Sequence, residues 1–163
     1  MGVGRAIEIP ARNASIEGVA IVPLATLSDD RGAVFHMLKA TAPHFAGFGE
    51  IYFSSIYPGV VKGWKRHRRM TANYSCILGR IELVLYDDRE RSSTKGCLMK
   101  LCLGPNEHSL VVIPPEVWHG FEGLAHPASI VANCASEPSD SAELDRMDPD
   151  DGRIPHRWRR RVA

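Results

Sequence analysis

Apolar and polar positions in this chain alternate over short runs, and nowhere do they recur at the three-to-four-residue spacing of a long amphipathic helix. Ile81, Leu83 and Leu85 fall on one face of the run Arg80–Tyr86, the period of a half-buried strand. Leu110-Val111-Val112-Ile113 is continuously apolar, too short for a helix and β-branched, and reads as a buried strand. Extended segments are also expected at Gly18–Leu24, Ala33–Leu38, Ile51–Tyr57, Val60–Trp64, Tyr74–Leu78, Leu98–Leu103 and Ala128–Cys134. Turn chemistry separates them, at Asp29-Asp30-Arg31-Gly32, Pro58-Gly59, Gly79, Asp87-Asp88-Arg89 and Gly104-Pro105-Asn106. A single helical turn is expected near Ala142–Met147. The pattern predicts an all-β sandwich or barrel, with helix below about a tenth of the chain.

Length and composition narrow this. At 163 residues the chain forms one domain with a core of its own, with residues 1–15 as an N-terminal arm and residues 139–163 as a polar, solvated tail. A formal net charge of +1 sets up no global field, so nucleic acid is not expected as a partner. No apolar run approaches the roughly 20 residues of a membrane span, and a secretory leader is not expected at the N-terminus. Cys76, Cys97, Cys102 and Cys134 form no Cys-x-x-Cys pair and read as free buried thiols of a reducing cytoplasm.

Candidate chemistry gathers in two stretches. In Ile113-Pro114-Pro115-Glu116-Val117-Trp118-His119-Gly120-Phe121 the prolines end a core strand, and the turn after them delivers Trp118 and His119 to the interior. Those rings serve either as core and structural histidine or as parts of a site. Upstream, Gly59-Val60-Val61-Lys62-Gly63-Trp64-Lys65-Arg66-His67 leads into the most basic internal run, Lys65–Arg69. Lys65 and His67, two residues apart on a strand, share a face.

Together the two stretches resemble the two motifs of a cupin. Within that superfamily the chain resembles the dTDP-4-dehydrorhamnose 3,5-epimerase family, from about Gly18 to Trp158. Supporting pieces are Asp30-Arg31-Gly32, Tyr86-Asp87-Asp88-Arg89 followed by Ser92-Ser93-Thr94, and Asp148-Pro149, Ile154-Pro155 and Trp158. The resemblance implies a jelly-roll barrel and a homodimer that exchanges N-terminal strands. It also implies a pocket for a nucleoside-diphosphate 4-keto sugar, with no cofactor and no metal. The reaction it implies removes a proton beside the ketone and returns one on the other face, which needs a base and a donor for the enolate oxygen.

Residue by residue, the resemblance places Arg31 and Lys62 on the diphosphate, Trp64 and Trp118 around the substrate, and His119 in the pocket. Asp148 matches the carboxylate that supports the base. The chain departs from the family pattern at two positions. Lys65 stands where the family's first-motif histidine is expected, which makes His67 the favoured base and assigns Lys65 to the enolate or a phosphate. The family's tyrosine acid should fall at Ala132, next to Asn133, and neither side chain replaces a phenol. His67 and His119 alone leave too few ligands for a transition metal. The reading is therefore a sugar-nucleotide epimerase. A cupin that binds the sugar nucleotide without turnover is the alternative, and a metal-dependent cupin oxygenase the third choice.

Overall fold

The computed structural model of the chain describes residues 15–159. In chain order the strands are β1 (Ala20–Pro23), β2 (Thr26–Asp29), β3 (Gly32–Phe35), β4 (Glu50–Ile56), β5 (Val61–His67) and β6 (Ala72–Leu78). They continue with β7 (Ile81–Tyr86), β8 (Leu98–Leu103), β9 (Ser109–Ile113), β10 (Trp118–Gly123), β11 (Ser129–Ala135) and β12 (Leu144–Arg146). Helix among the described residues is confined to two three-residue 3-10 turns, Pro105–Glu107 and Ser141–Glu143. The all-β expectation therefore holds, and the fold is a jelly roll. All but Ser15 of the expected exchanged arm lies outside the described residues.

Two five-stranded antiparallel sheets make the barrel. One runs β1-β9-β6-β11-β4, the other β12-β5-β10-β7-β8, and β2 and β3 form a separate hairpin. Alternation explains what lies between the sheets. Ile81, Leu83 and Leu85 of β7 meet Tyr74 and Cys76 of β6, Val111 and Ile113 of β9, and Val131 of β11 in one core. Replacing any of these leucines with alanine would cost about 2–5 kcal/mol. The other parity of the second sheet faces away, where Trp64, Val84 and Trp118 build a second cluster with Met147, Ile154 and Trp158.

That second cluster corrects the expected tail. Residues 139–159 do not hang in solvent: Asp140 caps the Ser141–Glu143 turn, and β12 then pairs with β5 along Leu144↔His67 and Arg146↔Lys65. The helical turn expected at Ala142–Met147 is thus a shorter 3-10 turn followed by a strand. The strand continues because β5 offers an open edge.

Two backbone devices position the site. After Pro115 the chain turns through Glu116, whose φ is +66° and whose N–H donates to the His67 carbonyl (2.6 Å), and the expected turn becomes the strand β10. Between β10 and β5 the register then slips: Phe121 pairs with Lys62, but His119 pairs with Lys65. Gly63 and Trp64 thus oppose the single residue Gly120, a bulge that puts Lys62, Lys65 and His67 all on the barrel side. Glycines are required there, since a Cβ on Gly63 or Gly120 would come within 2.9 Å of the other's Cα.

Candidate active site

His67 is held through one nitrogen of its ring. Its Nδ1 lies 2.5 Å from Oε1 of Glu143, a side chain with no solvent exposure. The other oxygen of Glu143 accepts from the backbone N–H groups of Arg68 (3.1 Å), Arg69 (3.0 Å) and Met70 (3.3 Å). Burial works to raise the Glu143 pKa, but these donors and His67 outweigh it and hold the carboxyl below its usual range. An ionised carboxylate at Nδ1 keeps the ring proton there and leaves Nε2 as a lone pair. That Nε2 is buried and has no partner. Burial lowers the pKa of His67, with Glu143 opposing, so the ring is neutral at pH 7.

His119 faces it, with ring centroids 5.9 Å apart. Its Nδ1–H donates to the Val117 carbonyl (3.1 Å), and Nε2 sits 3.4 Å from the Tyr74 hydroxyl. Complete burial, with the Lys65 charge adding to it, drives its pKa well below the usual value. Lys65 lies beside both rings, with its ammonium 5.3 Å from the Tyr74 ring centre. Its pKa is lowered chiefly by burial, then by Arg146 and Lys62, against the raising effect of Tyr52. The arginines that follow it in sequence are otherwise engaged: Arg66 and Arg68 pair with Asp145 (2.8 and 2.7 Å) and Arg69 with Glu137 (3.3 Å).

The facing sheet contributes a row of neutral polar groups. Asn133 pairs with Tyr74 on one side and Tyr52 on the other, so these three inward residues cross β6, β11 and β4. Asn133 Nδ2 donates to the Tyr52 hydroxyl (3.0 Å). Tyr52 lies close enough to Lys65 and Tyr74 to raise the pKa of each. Ala132, the expected tyrosine position, has the opposite parity and pairs with the outward Phe53.

A cavity of about 550 Å³ opens beside Lys65, bordered by Ser54, Lys62, Phe121, Arg146 and Asp148. Lys62 already donates to Ser54 Oγ (2.8 Å) and the Ser55 carbonyl (2.6 Å), which leaves one of its three protons for a ligand. The structure thus brings together His67, Lys65, His119 and Lys62. Asp148 borders the cavity, but its Oδ1 accepts from Asp150 N, and the carboxylate on His67 is Glu143. Trp64 also borders the cavity, but its ring, like that of Trp118, packs on the outer side of the sheet. The Trp64 ring packs on Trp158 (4.8 Å) and His156 (5.9 Å), and Trp118 Nε1 donates to Asp88 (2.9 Å). Arg31 is on the tip of the β2–β3 hairpin, its side chain 85% exposed and paired with Asp29, outside its own chain's cavity. Cys102 is exposed rather than buried, and none of the four cysteines is bonded to another.

Sequence reasoning missed Glu143, Tyr52, Tyr74 and Arg146. Asp140-Ser141-Ala142-Glu143 carries the Asp-x-x-Glu spacing of a capping box, a signal for the turn that presents Glu143. Among the described residues no three His, Cys, Asp or Glu side chains gather as a metal shell.

The family model for dTDP-4-dehydrorhamnose 3,5-epimerase matches residues 13–162. The chain is 32% identical over 144 residues to the probable low-salt glycan biosynthesis epimerase Agl13 of Haloferax volcanii, covering 87% of this chain and 89% of that one. It is 32% identical over 145 residues to the spore coat polysaccharide biosynthesis protein SpsL of Bacillus subtilis, covering 88% and 96%. The crystal structure of a dTDP sugar isomerase from Desulfovibrio desulfuricans superposes with a TM-score of 0.85 at 42% identity, covering 88% and 92%. A match over nearly the whole length, together with the jelly-roll fold, makes this chain a member of the dTDP-4-dehydrorhamnose 3,5-epimerase family of nucleotide-sugar epimerases.

Proposed function

We propose that His67 is the base of this epimerase, oriented by Glu143, and that Lys65 holds the enolate oxygen of a nucleotide-linked 4-keto sugar. The observation that carries this reading is the buried, unpartnered Nε2 of His67, whose other nitrogen is committed to a carboxylate. A buried acceptor without a partner costs stability unless a ligand uses it, and an imidazole lone pair held this way is suited to taking a proton from that ligand. Because its pKa lies below the ordinary value, His67 holds its lone pair at neutral pH. The Lys65 ammonium, withdrawn from water, interacts more strongly with developing negative charge than it would at the surface. Lys62, Lys65 and Arg146 border the mouth of the cavity, a concentration of positive charge suited to a diphosphate. Arg31 is not assigned to the phosphate in this reading. Solvent deuterium incorporation into a panel of dTDP-linked 4-keto sugars tests it: His67→Asn should stop exchange, and normal exchange in that variant would return the base to Lys65.

The protein also works, in this reading, as a homodimer in the cytoplasm. The outer side of the edge strand β4 exposes Ile51 and Phe53 (61%), and Phe48 and Tyr57 (69%) flank it. So much apolar surface on an open edge is a liability that a second copy of the chain would cover. Four unpaired thiols suit a reducing compartment. Light scattering at micromolar concentration should give a dimer, and Phe53→Lys should give a monomer.

A further inference from the structure

Inverting a carbon needs a proton donor on the face opposite the base, and the strand position where the family's phenol is expected holds Ala132. The chain has four tyrosines, all within the described residues. Tyr57 is on the surface, and Tyr86 packs against the cluster outside the second sheet. Tyr74 points into the barrel but is sealed at 1% exposure, and its hydroxyl faces His119. Burial raises its pKa well above the usual value, which weakens it further as a donor.

Tyr52 remains. It is only partly buried and lies two residues before Ser54, a residue that borders the cavity, on the same side of β4. Its oxygen accepts from Asn133 (3.0 Å), and the Lys65 ammonium is near enough for the two groups to interact. With Asn133 donating to the oxygen, the hydroxyl proton is what the group can give. Tyr52 stands on the first sheet and His67 on the second, so a sugar beside Lys65 would have the base on one side and the phenol on the other.

We infer that Tyr52 is the catalytic acid of this protein, a phenol carried on β4 rather than on the neighbouring β11, with Asn133 directing its hydroxyl. The inference rests on the reading of His67 as base. In the step, His67 Nε2 takes the proton from the carbon beside the ketone, and the C–H electron pair moves to form the enolate that Lys65 holds. As the carbonyl re-forms, the Tyr52 O–H bond breaks and its proton joins the opposite face of that carbon. The imidazolium then loses a proton to water and the phenolate gains one, which returns both groups to their starting state.

The test follows a dTDP-linked 4-keto-6-deoxy sugar in D2O by NMR, reading exchange and epimer separately. Tyr52→Phe should lower epimer formation about 100-fold or more, the range for removal of a general acid, while deuterium still enters at the carbon with its original configuration. Epimer at the wild-type rate in Tyr52→Phe overturns the assignment. So does loss of epimer in Tyr74→Phe with Tyr52→Phe unimpaired. The two failures read differently, since a wrong base shows as undiminished exchange in His67→Asn and a wrong acid as undiminished epimer in Tyr52→Phe.

Discussion

The two walls of the barrel are built alike and equipped differently. The wall made by β5 and β10 carries ammonium and imidazole groups, Lys62, Lys65, His67 and His119, backed by the Glu143 carboxylate. The wall made by β6, β11 and β4 presents only neutral groups along its inward row, Tyr74, Asn133 and Tyr52. The charged wall is supported from behind: Glu143 and β12 reach it from the C-terminal segment, and the bulge at Gly63 sets its register. The neutral wall needs only regular pairing, because amides and hydroxyls satisfy one another across adjacent strands. In the proposed mechanism proton removal and charge stabilisation belong to one sheet, and proton delivery to the other.

Substitutions can break that division, starting with the largest expected effect. His67→Asn should cut deuterium exchange about 10³-fold, within the span for loss of a general base, because the asparagine amide can still donate to Glu143 but cannot take a proton. Lys65→Met should lower kcat about 100-fold by removing the charge beside the enolate oxygen, with a smaller change in KM. Glu143→Gln should cost about 10- to 100-fold, as loss of an orienting partner commonly does.

The pH profile sharpens the same comparison. Burial lowers the His67 pKa, so the acid limb of kcat/KM should lie below pH 6.5. Glu143 opposes that shift, so the limb should move lower still in Glu143→Gln even as the rate falls. A limb that moves upward would show that Glu143 does not act on His67. The smallest effect concerns stability. His67 and His119 both have folded-state pKa values below 6.5, so as pH falls through 6.5 the unfolded chain takes up protons that the folded chain refuses. The stability they contribute is present above that pH and is lost below it. Thermal midpoints measured across this window should decline, and His119→Gln should flatten the decline.

Much of this was legible locally. Alternation at Ile81, Leu83 and Leu85 marked a half-buried strand, and the run Leu110–Ile113 marked a fully buried one. The two-residue spacing of Lys65 and His67 placed them on one face. Other placements depend on the tertiary fold. Strand parity turns the rings of Trp64 and Trp118, expected around the substrate, to the outer cluster beneath the C-terminal segment, although Trp64 still borders the cavity. Asp148 is the supporting carboxylate that the resemblance implies, whereas β12 pairing brings Glu143 to His67 across 76 positions of sequence.

The sequence by itself determined that the chain is all-β, where most strands run, and that its chemistry gathers around His67, Lys65 and His119. Those properties follow from residue type and a period of two, which are local. Which carboxylate meets His67, which tyrosine lies beside Lys65 and to which side the Trp64 and Trp118 rings turn were decided only by tertiary structure. Each depends on strand register and on a bulge between β5 and β10, and a one-residue slip exchanges the inside of a barrel for the outside.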